Sequence, residues 1–399
     1  MRELNVLVKE SRDTGEDIIL GGIHPILGAK GAERGLQDYR CRVVFTAPRA
    51  RTASGLDAHA LYDEISSSPI TFQASRTLRA YAALRGFVTS SRDAKSAYLQ
   101  SRLRREGKTD PRTFVAIPRQ FWPEEWVKAG MKRPMCPLEL SLYGHPVSGN
   151  RWEIKMDESV KVEDFRGAPM WKATYKQNGT EAALRVYVDD FELHASAEDT
   201  PKIWARLEKH IEFKDKYQIW CKDPIPHLGC DYIVEMQATK TGAQITTFRA
   251  QMKAYFEDIV NRFEERMGVA VKSVETPWLD SSAEKRYQQE LNEGGDYGWM
   301  AASPLMAGLY GARSARPDLV IATLQLARRL KKWTKFDDRR LLRYLGYMRW
   351  SAAGVLSGTF STDDLVTAVL RIWPDADLAG DPAEDAKSTS GVWIEVASK

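Results

Sequence analysis

The stretch Ala183–Ser196, ALRVYVDDFELHAS, decides how the rest of the chain is read. Within Leu184–Val188, three residues (Val186, Tyr187 and Val188) favour strands. Asp189 and Asp190 follow, and then Phe191, Glu192, Leu193 and His194 alternate apolar and polar, as a half-buried strand does. The pattern predicts a β-hairpin with an acidic pair at its turn. Adjacent carboxylates repel, so a tight turn holds them badly unless a cation sits there. Magnesium takes one or two protein carboxylates and fills its other positions with water and substrate phosphates. Strand–Asp–Asp–strand is therefore one way to hold metal for nucleotidyl transfer. Asp-Asp is also an ordinary turn pair, and the chain has two others, Asp337-Asp338 and Asp363-Asp364. Neither lies between strand-like runs, and both read as solvated helix starts or turns.

A metal site for this chemistry needs carboxylate oxygens from more than one element. Phe87–Leu99, FVTSSRDAKSAYL, reads as a strand running into a turn, with Asp93 at the strand's end and Tyr98 five residues on. Asp93 is the candidate third carboxylate, although a lone aspartate after a strand also serves as a helix cap. Tyr39–Ala47, YRCRVVFTA, reads as a strand carrying Arg40 and Arg42 at i, i+2. That spacing puts both guanidiniums on one face. An exposed strand face looks the same; a grip on a triphosphate is the functional alternative, for which the arginine fork is suited.

Composition bounds the remaining choices. The 399 residues suffice for two or three domains and a sizeable core. A net charge of +4 and a pI near 8.7 permit a nucleic-acid partner without requiring one. The four cysteines (Cys41, Cys136, Cys221, Cys230) form no CxxC pair, which argues against zinc and against a disulfide framework and for a reducing, intracellular setting. The longest apolar run, near Leu319–Ala327, is too short to span a bilayer, and the charged N-terminus lacks a signal-peptide core. No membrane partner is expected.

The other elements follow from periodicity and punctuation. Residues 1–38 are mixed and glycine-containing, and Arg49–Pro69 is polar and turn-rich. Helices are expected over Thr71–Leu84, from near Asn150 with Trp152 on board, and over Glu198–Lys214. Arg119–Trp126 is broken by proline and reads as loop. Trp171–Tyr175 is a strand before the hairpin, Ile225–Met236 a strand pair. From about 250 the chain turns helical, and it returns to strands after about 365.

Several of these stretches fall in the order found in one family. The chain resembles the reverse transcriptase of copia-type retrotransposons, a fragment of their Pol polyprotein. The resemblance rests on Arg40-Cys41-Arg42-Val43-Val44 as a fingers strand and Asp93-Ala94-Lys95-Ser96-Ala97-Tyr98-Leu99 as the first palm motif. It rests further on Ser141-Leu142-Tyr143-Gly144 with Ser148 and Trp152, on Tyr187-Val188-Asp189-Asp190, and on His227-Leu228-Gly229. Downstream, Arg316-Pro317-Asp318, Leu342-Arg343-Tyr344-Leu345, and Asp375–Asp381 with Lys387–Gly391 add to it. It covers residues 35 to 399. Pro146-Val147-Ser148-Gly149 departs from the family's Lys-Gln-Ser-Pro, and the N-terminal residues match poorly.

What the resemblance implies is an α+β, right-hand polymerase: fingers and an antiparallel palm sheet over 39–240, a helical thumb or connection over 241–360, and a truncated ribonuclease H-like start over 365–399, after a poorly matched segment 1–38. Asp93, Asp189 and Asp190 would be catalytic and hold two magnesium ions. Arg40 and Arg42 would clamp a deoxynucleoside triphosphate, with Tyr143 and Gly144 also at the substrate. Tyr98 would stand against the sugar, leaving no room for a 2′ hydroxyl. The partners would be an RNA or DNA template with its primer, and other Pol fragments. The rival expectation is a catalytically decayed remnant that keeps at most nucleic-acid binding. A further expectation is that the chain does not cleave RNA in a hybrid. Asp375 lies with Asp377, Asp381, Glu384 and Asp385 in one short stretch, and two-metal chemistry needs carboxylates from separate elements. The final strands are expected to persist only by packing on the preceding helices.

Overall fold

Most strands expected from side-chain alternation are present in the computed structural model, which describes residues 1–30, 38–46, 50–55, 57, 71–279, 281–377 and 389–398. Gly31, Gly35, most of 49–69 and the acidic residues Asp381, Glu384 and Asp385 lie outside the described residues. The chain forms two compact units. One comprises Met1–Thr71, Ser90–Leu193 and Glu198–Gln218; the other comprises Phe72–Thr89, His194–Ala197 and Ile219–Lys399. The last segment of the first unit ends at Gln218, and the poorly matched N-terminus belongs to that unit.

That N-terminus is more regular than its sequence suggested. Leu4–Thr14 is a helix, and β1 (Ile18–Lys30) is a long strand paired antiparallel with β2 (Asp38–Phe45). β1 also runs parallel to the strand Arg112–Ala116, which pairs with Pro134–Pro137. Glycines depress strand propensity, which hid β1. Gly21 is needed there for room: a Cβ on it would run into the Phe45 ring. Phe45 packs with Ile19, Val115 and Leu142 in a small core.

A second sheet carries the hairpin, and its residues fall in the first unit apart from Val88, Thr89, His194, Ala195 and Ile219. In chain order its parts are β3 (Val88–Asp93), helix α1 (Ser148–Val162), β4 (Ala183–Tyr187), β5 (Asp190–Ala195), helix α2 (Asp199–Leu207) and the two-residue β6 (Gln218–Ile219). The strand order is β6-β3-β5-β4, continued by Trp171–Gln177 and Phe165–Ala168. This is a split βαβ topology, one that serves many unrelated functions. Phe191 and Leu193 on one face of β5 are fully buried, as are Trp204 and Leu207 of α2. Trp204 and Phe191 both set their rings edge-on to Phe213 at 5.5 and 5.3 Å.

Several expectations need correction. β5 is not half-buried: Glu192 and His194, on its polar face, are as buried as Phe191. Glu192 is tolerated because Arg185 of β4 pairs with it, and His194 bonds Thr89 Oγ1 at 3.0 Å. α2 stops at Leu207, because the chain beyond it becomes extended and pairs with the end of β3. Lys95 N–H donates to Glu212 O, and Lys214 N–H to Asp93 O. The stretch Arg119–Trp126 contains two short helical turns rather than plain loop.

In the second unit, the sheet Ile225–His227, Cys230–Ala238, Gln244–Gln251 and Val355–Ser361 carries helices Phe72–Leu84, Lys253–Met267, Gly298–Ser314, Val320–Arg329 and Lys335–Trp350. Phe256, Phe263, Leu305, Leu326, Leu341, Tyr344 and Leu345 fill its core. Asp337-Asp338 does start a helix, but the pair is buried rather than solvated. The two last strands, Val369–Asp377 and Thr389–Ala397, pair with each other. Their apolar residues, Ile372, Trp373, Trp393 and Ile394 among them, are about half exposed rather than packed on helices. No helix among the described residues is long and apolar enough to cross a membrane.

Candidate active site

The hairpin turn between β4 and β5 has two residues, Val188 and Asp189. Two-residue hairpin turns require a positive φ at their first position, and Val188 has φ 59°. A β-branched residue in that region is strained and persists only where its surroundings hold it. Two hydrogen bonds do so. Trp152 Nε1–H, from α1, donates to Val188 O at 2.6 Å. Ala94 N–H, next to Asp93, donates to Asp189 O at 2.7 Å. The second bond ties the turn to the strand that ends in Asp93.

Three carboxylates therefore share one end of the sheet. Asp190 is pushed up to about 8, first by burial, then by the charges of Asp189 and Asp93 and a hydrogen bond with Asp93; Arg185, beneath, opposes this. Like charges gathered in a low-dielectric setting favour protonation unless a cation arrives. Among the described residues no three His, Cys, Asp or Glu side chains close into a metal cage. Magnesium does not need one, since it keeps several waters and draws further ligands from substrate phosphates. An all-carboxylate donor set suits magnesium or manganese over zinc. The residues present fit such an ion.

The other expected residues gather beside this turn. Tyr98 lies on a short helical turn, and its ring is 4.9 Å from that of Tyr143. Both phenols are raised, chiefly by burial and next by the Asp189 charge, so that carboxylate and the two rings share one environment. The Arg42 guanidinium stands 5.7 Å from the Tyr143 ring centroid and favours the ionised phenol there. Arg40 shares β2 with Arg42, two residues away, and therefore its face. Gly144 acts through the backbone. It has φ 83°, and a Cβ on it would meet Phe45 O at 2.5 Å. The close approach lets Phe45 N–H donate to Tyr143 O at 2.7 Å, which pins Tyr143 to β2.

Three features escaped the sequence. The Trp152 bond to Val188 O joins residues 36 positions apart, and no linear motif reports an indole's direction. The left-handed Val188 is signalled only by the two-residue spacing between strands. The buried Arg185–Glu192 pair looked like exposed alternation, although opposite charges at matched hairpin positions were visible.

No family model matches the chain. It is similar to the Retrovirus-related Pol polyprotein from transposon TNT 1-94 of Nicotiana tabacum, at 24% identity over an alignment of 411 residues covering 98% of this chain. The chain spans 28% of that protein's length. The expected resemblance to a copia-type Pol polyprotein thus holds along nearly the whole chain.

Proposed function

We propose that this chain is an RNA-directed DNA polymerase of the copia type, which extends a primer 3′ end with deoxynucleoside triphosphates. The observation that carries the reading is the gathering of Asp93, Asp189, Asp190, Tyr98, Tyr143 and Arg42 in one unit. On this reading the sheet β6-β3-β5-β4 is the palm, and the sheet built on β1 and β2 belongs to the fingers. Two magnesium ions, when bound, would lower the pKa of the attacking hydroxyl and offset the charge of the leaving pyrophosphate.

The chain's own residues do the positioning on which phosphoryl transfer chiefly depends. Asp93, Asp189 and Asp190 would hold the ions, and their mutual repulsion makes the site ready for them. Arg42 and Arg40 would hold phosphate oxygens through their forked donors. Tyr98, backed by Tyr143, would press against the sugar and exclude a 2′ hydroxyl. The second unit's helices, rich in Lys and Arg, would track the template–primer backbone through phosphate contacts.

The test is extension of a labelled primer on an RNA template by the purified chain with magnesium. The parent should extend it, and Asp189→Asn should lower the rate by orders of magnitude. Equal extension by both would remove the assignment of the palm carboxylates. No extension by the parent would favour a decayed remnant.

A further inference from the structure

We infer that Trp152 is a positioning residue for the acidic turn, acting through the Val188 carbonyl rather than by touching any ligand. The inference rests on the metal-binding reading above. Trp152 is 2% exposed, so its ring is core. A core ring alone would not need the indole; phenylalanine fills such space. What distinguishes Trp152 is where its one polar atom goes. From the first turns of α1 its N–H reaches the carbonyl of the residue that carries the turn's left-handed conformation.

The consequence is geometric. In a two-residue turn, the peptide between Val188 and Asp189 sets the direction in which Asp189 leaves the sheet. The Val188 carbonyl belongs to that peptide, and the indole fixes its tilt. Ala94 N–H fixes the next peptide by holding Asp189 O. With both peptides pinned, Asp189 and Asp190 have little freedom to swing apart, although their charges push them to do so. Without the indole bond, the strain at Val188 favours a rotated peptide, and repulsion from Asp93 and Asp190 favours the same. The protein thus uses a helix-borne donor to keep a strained turn that presents like charges together. Supporting shells of this kind typically change metal affinity by roughly 10- to 100-fold when removed.

The dependence on strain supplies the test. Glycine takes φ > 0 about as readily as φ < 0, so a Val188→Gly turn needs less holding. Four full-length proteins are compared: the parent, Trp152→Phe, Val188→Gly and the double variant. Manganese(II) binding is followed by calorimetry, and its site-specific part is the part lost in Asp189→Asn. Trp152→Phe should weaken that binding about tenfold or more in the parent. In the Val188→Gly background the same exchange should change it by less than about threefold, a coupling expected only between residues that act on one another. An equal effect in both backgrounds, or none in the parent, would overturn the inference and leave Trp152 as packing. Should Trp152→Phe alone fail to fold, the double variant decides: binding about tenfold weaker than Val188→Gly would overturn the inference, and matched binding would support it. A parent without Asp189-dependent manganese binding would instead refute the metal-binding reading itself.

Discussion

Asp189-Asp190 and Asp337-Asp338 are the same dipeptide, the first half-buried and the second buried, and the protein treats them in opposite ways. Asp337 takes part in a capping box with Thr334 and meets Arg329 and Arg340 at 3.3 and 3.1 Å. Asp338 accepts from the backbone N–H groups of Asp296 and Tyr297 and from Trp333 Nε1–H. Every charge there is met by donors, and the pair joins a helix start to its surroundings. At the hairpin, Asp190 faces Asp93 and Asp189 instead, and is raised to about 8. Burial alone does not mark a functional carboxylate. Burial against other carboxylates marks a candidate site, because the folded chain then carries an electrostatic cost that a bound cation would remove.

The largest effect that could break this comparison lies in the second unit. Asp337→Ala would leave Arg329 and Arg340 facing an empty position and should cost about 3–5 kcal/mol of stability by denaturant unfolding. A loss below about 1 kcal/mol would mean that the pair is not the closed structural contact described. Next in size is a test that the hairpin pair belongs to a substrate site. Tyr98→Ala should raise ribonucleotide use relative to deoxynucleotide by roughly tenfold or more in primer extension. An active variant with unchanged discrimination would make Tyr98 a core ring only.

The smallest effect concerns a paired carboxylate elsewhere in the second unit. Glu264 is held at about 2 by hydrogen bonds from Arg349 and then from Val271 N–H, against the opposing pull of burial. A depressed folded pKa contributes stability above the ordinary glutamate range, and that contribution is lost as pH falls toward 2. Glu264→Gln should therefore melt slightly below the parent at neutral pH, and the two curves should merge near pH 2. A difference that grows on acidification would reverse the sign and contradict the pairing.

How much of this was legible depended on which property each residue exposes to a linear reading. Val186 to His194 carried the hairpin in their strand-forming residues and alternation, Asp93 showed in its place at a strand's end, Arg40 and Arg42 in their i, i+2 spacing, and Tyr98 only through the family resemblance. Gly144 was visible as part of a motif, but its reason was not: the Phe45 carbonyl that excludes a Cβ lies on a strand 99 residues earlier. β1 was obscured by its glycines, one of which exists to admit the Phe45 ring. Glu192 read as solvent-facing because the Arg185 that neutralises it sits on the partner strand. Alternation reports which face a residue takes and not whether that face is covered. The Trp152 donor was hidden for a similar reason, since only the fold says where an indole points.

The central claim is that Asp190, set against Asp93 and Asp189, costs the metal-free fold stability while Asp337, met by Arg329 and Arg340, supplies it. Thermal melts of the parent, Asp190→Asn and Asp337→Asn, without divalent cation at about pH 9, address it directly. An aspartate raised from its ordinary value penalises the folded state as pH climbs through the acid range to about 8, and above that the penalty is fully present. Asparagine keeps the shape and removes the charge. The account predicts that Asp190→Asn melts above the parent and Asp337→Asn below it. If Asp190→Asn melts with the parent or below it, the hairpin cluster is a satisfied structural contact, and the account is wrong.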